Sequence, residues 1–242
     1  MAPDVTTNLY GGLGNQLFEY AATLHALREV GGSTFELVNI EPEYDPDITA
    51  LLDVPVRPLN RIDRATNPEL AELPGPARPV FRRTARLASR RDDYQSVDQW
   101  YFPFTPAVPL ARGRRVRLNG FFQHPTWFQS DWSTVASQIL QRAPGGFADL
   151  VDQRRTVISL RKRADYVQAQ WTLPIEHYDR LLDELSAGGA QEVVVVADEP
   201  TFIPWFRRYA EHRGLRVLDV EPLTGQRTMD DFWNLAAADS LA

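Results

Sequence analysis

The sequence contains no cysteine, a single lysine and two methionines among its 242 residues. Without cysteine, the chain has neither disulfide bonds nor a cysteine-ligated metal. No apolar run reaches the roughly 20 residues that span a bilayer, and the first residues lack the basic start and apolar stretch of a secretory signal. We therefore expect a cytoplasmic protein without a membrane-spanning segment; peripheral contact with the inner membrane face is left open.

A strong charge of either sign is also missing, because the formal net charge is −6 at pH 7. A chain with this charge is not a general binder of nucleic acids. Its apolar fraction of 43% is ordinary for a globular protein and provides enough material for a core. The length allows one large domain or two small ones.

Hydrophobic periodicity predicts an α/β fold. Residues 5–10 resemble a strand, 15–29 repeat with the period of a helix, and 34–38 resemble a second strand. From 156 to 237 the pattern alternates regularly as βαβαβα, which is half of a nucleotide-binding sheet. Because Pro-Gly-Gly at 144–146 marks a boundary, we predict two domains. They comprise an amino-terminal α/β domain over 1–146 and a Rossmann-like donor domain over 147–242.

Glycines and amides open the first predicted helix at Gly11, Gly12, Gly14, Asn15 and Gln16. Glycine lets a backbone approach a ligand, and a helix start offers unpaired N–H groups with a partial positive charge. The combination suits a phosphate, or a sugar held near one. It is neither a P-loop nor the dinucleotide fingerprint. A tight structural turn is the alternative explanation for the glycines, although such a turn does not require the two amides.

Charged residues follow two of the predicted strands. Arg161, Lys162, Arg163 and Asp165 come directly after the strand at 156–160. Open α/β sheets bind ligands at the carboxyl ends of their strands, so three cations there can clamp a diphosphate, with Asp165 holding one arginine in place. A charged loop is the alternative.

The strand at 192–197 leads into Asp198. Its carboxylate can accept the N1 and N2 hydrogens of guanine, which selects GDP over ADP. A helix cap or a solvated loop acid explains Asp198 equally well.

Residues 11–21, Gly-Gly-Leu-Gly-Asn-Gln-Leu-Phe-Glu-Tyr-Ala, resemble the amino-terminal motif of the α-1,2-fucosyltransferase family, glycosyltransferase family 11. They differ from the family pattern only at Leu17 and Glu19, where the family has Met and Gln. The segment from Ser159 to Asp165 resembles the family motif His-x-Arg-Arg-x-Asp without its histidine. Either Ser159 or Leu160 stands in the place of that histidine, depending on the register.

Three further segments carry the same resemblance. Ala-Asp-Glu-Pro at 197–200 is similar to the family's Ser-Asp-Asp-Pro, and Gly-Phe-Phe-Gln at 120–123 is similar to Gly-Tyr-Phe-Gln. Asp-Phe-Trp-Asn-Leu-Ala at 231–236 resembles the segment that precedes the last part of the family's donor site. The chain ends where the next strand is due, so we expect an incomplete carboxyl-terminal domain.

The resemblance implies a GT-B-like fold of two Rossmann-like domains with the donor site in the cleft between them. It implies inverting transfer of L-fucose from GDP-fucose to a galactose-type 2-hydroxyl of an oligosaccharide. No pair of histidine and acidic residues has metal-ligand spacing, and a metal-independent transferase fits the sequence better, so we expect no metal and no cofactor besides the donor. The roles that follow are catalysis by Arg161, Arg163 and Asp165; donor binding by Gly12, Gly14, Asn15, Gln16, Lys162 and Asp198; and acceptor binding by Gln123 and His124. For Gln123 and His124, a core strand with an exposed turn is the alternative.

Two other functions remain open at this point. The missing motif histidine and the early end of the chain are typical of a catalytically degenerate homologue that binds a GDP-sugar or a glycan. The second of these is a transferase of the same type that forms another linkage.

Overall fold

The computed structural model describes residues 3–41, 47–59, 94–99, 104–160, 173–197 and 199–241. The chain divides into two compact units, Met1–Arg142 and Ala143–Ala242. Each unit contains a parallel β-sheet with helices packed on it. Every helix in the described ranges is too short or too polar to cross a bilayer.

Five parallel strands form the sheet of the first unit. In chain order they are β1 Val5–Leu9, β2 Phe35–Asn39, β3 Val56–Pro58, β4 Tyr94–Gln99 and β5 Arg115–Gly120. Across the sheet the order is β3-β2-β1-β5-β4. The central strand β1 pairs with β2, where Val5 lies opposite Phe35, and with β5, where Val5 lies opposite Val116.

The helix α1, Leu13–Val30, packs on this sheet. Its small residues Ala22 and Ala26 let the helix approach the strands, and they share one buried cluster with Val5 and Leu118. The helix ends at Gly31, whose left-handed conformation (φ 68°) costs glycine little. The other helical elements of this unit are α2 Ile48–Leu51, a 3₁₀ turn at Pro125–Trp127, and α3 Trp132–Leu140.

Four parallel strands form the sheet of the second unit: β6 Thr156–Leu160, β7 Glu192–Ala197, β8 Arg216–Leu218 and β9 Ser240–Leu241. Their order β8-β7-β6-β9 is the order found in one half of a Rossmann sheet. The helical elements are α4 Phe147–Asp152, α5 Ile175–Ala187, a 3₁₀ turn at Pro200–Phe202, α6 Ile203–Glu211 and α7 Arg227–Ala236.

Burial on both faces explains why β7 is a run of valines. Val193 and Val195 belong to a buried cluster with Phe206 of α6. Val194 and Val196 lie in a second cluster on the opposite face. A strand covered on both sides has no solvent face, so its side chains are apolar throughout instead of alternating.

The α/β fold with parallel sheets is confirmed, and the strands predicted at 156–160 and 192–197 have these bounds in the structure. The strand that the alternation requires after the last helix is present over two residues. It is β9, which pairs with β6 where Ser240 lies opposite Thr156. The periodicity failed to indicate β3 and β4, which flank the proline-rich region of the sequence.

Candidate functional site

Two of the predicted binding segments lie at the point where the strand order of the first sheet reverses. β2 and β3 lie on one side of β1, whereas β5 and β4 lie on the other. In open α/β sheets, a crevice forms outside the carboxyl ends of the strands at such a switch point, and ligands bind there. Gly11–Gly14, the Gly-rich turn, follows β1, and residues 120–124 follow β5. The topology therefore brings both segments to one edge of the sheet.

The glycines of the Gly-rich turn divide into one that the fold requires and two that it does not. Gly11 has a φ of +63°, and a Cβ there would lie 2.7 Å from Nδ2 of Asn15. Gly12 has an ordinary φ of −78°, and Gly14 lies within α1. A Cβ at Gly12 or Gly14 would meet no described atom within 4 Å. Turn geometry thus explains Gly11 alone, and the bare backbone at the other two leaves room for a ligand.

Two glutamates hold the backbone where β1 enters this turn. Both carboxylate oxygens of the buried Glu19 accept the N–H of Tyr10, at 3.2 and 3.0 Å. Oε2 of Glu41 accepts the N–H of Gly11 at 3.1 Å. Burial raises the pKa of Glu19 well above its ordinary 4.5; the Tyr10 hydrogen bond opposes this shift and the charge of Glu41 adds to it.

An aspartate binds the first N–H group of α1. Asp47 accepts the N–H of Leu13, and its pKa is raised because partial burial outweighs this hydrogen bond. Within the turn, the N–H groups of Gly12 and Gly14 have no hydrogen-bond partner among the described residues. A phosphate here would lie beside the carboxylates of Asp47 and Glu41. The turn therefore suits the hydroxyl groups of a sugar better than a phosphate.

The structure joins two predicted site residues that are far apart in the sequence. Nε2 of Gln123 donates to Oδ1 of Asn15 at 2.7 Å, and both side chains are half-buried. The bond ties the segment after β5 to the first turn of α1. The remaining amide atoms, Nδ2 of Asn15 and Oε1 of Gln123, form no hydrogen bond with the described residues. The pair therefore presents one donor group and one acceptor to a ligand.

Gln16, which was also predicted to bind the donor, points into the protein instead. Its Nε2 donates to the carbonyl oxygen of Gly11 at 2.7 Å, and its Oε1 accepts the N–H of Ile48 at 2.9 Å. The residue is 6% exposed. Gln16 therefore braces the Gly-rich turn against α2, and the structure does not group it with Asn15 and Gln123.

The backbone at and just after the end of β5 adopts an unusual conformation that positions Gln123. Gly120 has a φ of 113°, and Phe122 has a φ of 46°, which is rare for a bulky residue and stores strain. Phe122 is fully buried, and its ring meets Trp127 edge to face at 5.1 Å. Burial of this ring offsets the strain and fixes the direction in which the chain leaves the sheet.

His124 caps the 3₁₀ turn that follows. Its Nδ1 accepts the N–H of Thr126 at 3.3 Å and lies 2.9 Å from the Thr126 hydroxyl oxygen. Because Nδ1 accepts the backbone N–H, the neutral ring carries its proton on Nε2. Nε2 is then the ring atom with which His124 can donate to an acceptor sugar.

In the second sheet the strand order reverses between β6 and β9. Arg161, Lys162, Arg163 and Asp165 follow β6 in the sequence, and Asp198 follows β7. These five residues lie outside the described residues, so their contacts remain predictions. Their positions in the sequence come directly after the carboxyl ends of two neighbouring strands, one of which is at the switch point.

One cation at this edge was not found by sequence reasoning. Arg227 is the first residue of α7, and its Nη2 donates to the carbonyl oxygen of Ala197, the last residue of β7, at 2.6 Å. Its Nε lies 3.5 Å from Oδ2 of Asp231. The guanidinium is therefore held at the carboxyl end of β7, at Ala197, the residue that precedes Asp198 in the sequence. The spacing of four residues between Arg227 and Asp231 predicts an ion pair on a helix, but it does not predict the contact of Arg227 with β7.

Replacing Glu19 by glutamine, the residue of the resembled family, is expected to change how stability depends on pH. Between 4.5 and the raised pKa, the folded protein binds more protons than the unfolded chain, so its stability falls as the pH rises through that window. Glu19→Gln removes this ionisation and keeps an acceptor for the Tyr10 N–H. The variant should unfold at a higher temperature than the wild type above the window, and the difference should shrink below it.

Thermal unfolding from about pH 4 to pH 8 measures this difference. The exposed Glu29, also on α1, supplies the control, because Glu29→Gln should give a curve parallel to that of the wild type. Parallel curves for Glu19→Gln as well would show that Glu19 does not gain a proton on folding.

No protein-family model matches this sequence, and no curated protein matches it. Solved structures do match. The fucosyltransferase NodZ from Bradyrhizobium is similar with a TM-score of 0.52 at 12% identity, over 100% of this chain and 88% of that one. The NodZ α-1,6-fucosyltransferase soaked with GDP-fucose is similar with a TM-score of 0.51 at 11% identity, and the match covers 99% of this chain and 87% of that one. POFUT1 in complex with GDP-fucose is similar with a TM-score of 0.50 at 12% identity, and the match covers 99% of this chain and 90% of that one.

At this level of identity the likeness establishes the fold alone. Both units, with their parallel sheets, correspond to parts of those structures, since the matches extend over nearly the whole chain. The α/β fold of this chain is the fold of the GT-B fucosyltransferase structures.

Proposed function

We propose that this chain is an inverting glycosyltransferase that moves L-fucose from GDP-fucose to a galactose-type 2-hydroxyl of an oligosaccharide. The observation that carries the proposal is that each sheet has a candidate binding segment directly after a strand at its switch point. GDP-fucose is the ligand named for NodZ and for POFUT1, the fucosyltransferases of similar fold. The proposal extends this donor to the present chain.

In this proposal the second unit binds the nucleotide. Arg161 and Arg163 contact the diphosphate, Lys162 adds a third positive charge, and Asp165 orients one arginine. Asp198 accepts the guanine N1 and N2 hydrogens. Arg227 supports the assignment, because its guanidinium already lies at the carboxyl end of β7 and retains donors for a phosphate.

The first unit binds sugar hydroxyl groups. The bare backbone at Gly12 and Gly14 allows a pyranose ring to approach the start of α1, and the pair of Asn15 and Gln123 offers a donor and an acceptor at the same edge. His124 adds an Nε2 donor. The carboxylates around the turn support a hydroxyl ligand, since they accept hydrogen bonds from hydroxyls and repel phosphate.

The reaction breaks the bond between C1 of fucose and the β-phosphate oxygen, and its electron pair leaves with GDP. The acceptor oxygen attacks C1 from the opposite face, which inverts the configuration. Its proton passes to a carboxylate on the acceptor side, where Glu41 and Asp47 adjoin the turn. Negative charge grows on the diphosphate as the bond breaks, so the arginines act mainly by stabilising the leaving group.

Binding of nucleotides separates this proposal from others without needing an acceptor. GDP and GDP-fucose are expected to raise the unfolding temperature, whereas UDP and ADP at the same concentration should not. Asp198→Asn should reduce the shift with GDP, because one acceptor becomes a donor. The shift should persist in EDTA, because the proposed site uses arginines and no divalent cation. Equal shifts with GDP and UDP would refute the guanine assignment.

A homologue that binds a GDP-sugar without transferring it is the second candidate. The observation that favours it is that neither Ser159 nor Leu160 supplies the histidine of the resembled motif. A shift with GDP-fucose, together with the absence of fucose transfer and of donor hydrolysis, identifies this case. Linkage analysis of the product distinguishes a 2-hydroxyl acceptor from the α-1,6 linkage named for NodZ.

A further inference from the structure

Three aromatic rings, one from α1 and two from residues 128–132, pack together in a group that we call the ring cluster: Phe18, Phe128 and Trp132. The rings of Phe18 and Trp132 are nearly parallel, with 26° between their planes and 5.9 Å between their centres. Phe128 meets Phe18 at 4.8 Å and Trp132 at 5.8 Å. Each ring contacts both others, so their orientations are fixed by one another before any ligand binds.

The ring cluster is not part of the buried core of the first unit. Trp132 is 38% exposed, although Trp127, five residues earlier, is completely buried against Phe122. Phe18 and Phe128 are half-buried. The two phenylalanines therefore support an indole that presents part of its surface to solvent.

Two members of the ring cluster lie close in the sequence to polar groups of the candidate site. Phe18 lies three residues after Asn15 on α1, and residues at this spacing are neighbours on one face of a helix. Gln123 bonds to Asn15. Phe128 follows the 3₁₀ turn that His124 caps. Phe18 is therefore one helical turn from the amide pair, and Phe128 follows His124 by four residues in the sequence.

We propose that the ring cluster is a subsite for a pyranose ring of the acceptor glycan. The C–H face of the sugar stacks on the indole of Trp132, and its hydroxyl groups reach the amides of Asn15 and Gln123. A rigid apolar surface flanked by a few hydrogen-bonding groups is what a sugar ring requires of a binding site. This subsite deepens the proposed transfer reaction and rests on it for the identity of the glycan as acceptor.

The chemistry of the surroundings favours a glycan over a protein partner or a membrane. A stable protein interface needs roughly 800 Å² on each partner, far more than one partly exposed indole provides. Arg28 donates to both carboxylate oxygens of Asp131, the residue before Trp132, at 2.6 and 2.7 Å, so this guanidinium is paired and is not offered to anionic lipid. Planar amides beside the rings match hydroxyl groups instead.

Kinetics of Trp132 variants test the subsite. Trp132→Ala is expected to raise the KM for the acceptor about tenfold, the loss of roughly one stacking contact. The KM for GDP-fucose and the thermal shift with GDP should stay within about twofold of the wild type. Trp132→Phe, which keeps a ring, should recover most of the acceptor affinity. Trp205→Ala is the matched control, since Trp205 is 40% exposed and belongs to the second unit.

A binding measurement separates failure of the subsite from failure of the proposed function. Saturation-transfer NMR with lactose, without nucleotide, should show equal binding to the wild type and to Trp205→Ala, and binding about tenfold weaker to Trp132→Ala. That result supports the subsite even if no fucose is transferred. An unchanged acceptor KM in Trp132→Ala, with transfer intact, overturns the subsite and leaves the transfer reaction standing. Equal lactose binding by all variants, or by none, also overturns it.

Discussion

Replacing Gly120 by alanine is expected to prevent the first unit from folding. A Cβ at this position would lie 2.0 Å from the carbonyl oxygen of Gln99, 2.4 Å from its carbonyl carbon and 3.0 Å from its nitrogen. These are backbone atoms of the neighbouring strand β4, which is paired in register with β5, and they cannot rotate away as a side chain can. The φ of 113° adds strain for any residue with a Cβ.

The expected cost exceeds about 4 kcal/mol, which is a large share of the stability of an ordinary domain. Circular dichroism and thermal unfolding of the purified variant measure it. Gly12→Ala is the matched control, because its φ is ordinary and its Cβ would meet no described atom within 4 Å. Gly12→Ala should unfold within about 2 °C of the wild type. A Gly120→Ala protein with native unfolding behaviour would show that β4 does not pack against β5 as described.

The contrast between Gly120 and Gly12 bears on function as well as on folding. Both glycines belong to segments that resemble the fucosyltransferase family, yet only Gly120 is required by the packing of its own sheet. A glycine that the described fold does not require is the better indicator of a ligand. Gly12 and Gly14 are glycines of this kind, and they open α1 at the switch point of the sheet.

The central strands and the long helices could be predicted from the sequence because burial imposes a regular pattern on them. β7 is apolar throughout because both of its faces are covered, and α1 carries its small and apolar residues at helical spacing. β3 and β4 lack such a signal. They are the two edge strands of the first sheet, and they are short or partly exposed, so their residues are free to be polar.

The roles of individual site residues could not be predicted from the sequence, because they depend on contacts between distant segments. Asn15 and Gln16 are neighbouring amides in one motif, but Asn15 bonds to Gln123 and Gln16 bonds to the backbone of α2. Helical geometry turns successive side chains in different directions, whereas the sequence does not show which direction faces the crevice. Glu41 and Asp47 were missed for the same reason, since their function is to bind N–H groups of a turn many residues earlier.

The order of strands supplies what periodicity lacks. A βαβ pattern predicts parallel strands without specifying where the order reverses. The reversal between β1 and β5 gives the two amide-bearing segments one location, and the reversal at β6 singles out the cationic segment after that strand. All three segments come from the motifs that resemble the fucosyltransferase family.

Replacing Arg161 by alanine is expected to reduce the initial rate of fucose transfer by about two to three decades. A guanidinium that binds the diphosphate bidentately strengthens its contact as negative charge grows on the leaving group. Removal of such a group costs roughly 2–4 kcal/mol of barrier, by comparison with the loss of an oxyanion-hole donor. The loss should appear in kcat more than in the thermal shift with GDP.

The register of the motif decides which arginine has this role. Leu160 is 2% exposed and belongs to the core cluster that includes Leu182, whereas Ser159 is half-buried on the other face of β6. A motif residue that serves a polar site does not belong in that core, which supports Ser159 as the position of the missing histidine. In this register Arg161 is the first arginine of the motif, and Lys162 stands in the place of the second.

Initial rates at one GDP-fucose concentration test the assignment across Arg161→Ala, Lys162→Ala and Arg163→Ala. Lys162→Ala should have a smaller effect than Arg161→Ala, because an ammonium binds phosphate as a point charge without the guanidinium fork. Arg180→Ala is the control, since Arg180 is exposed on α5, and it should transfer at the wild-type rate. If Arg163→Ala is inactive while Arg161→Ala keeps its rate, the register anchored on Asp165 is correct. Full activity in all three variants would reduce the segment to a charged loop and move the leaving-group contact to another cation, of which Arg227 at the end of β7 is the first to replace.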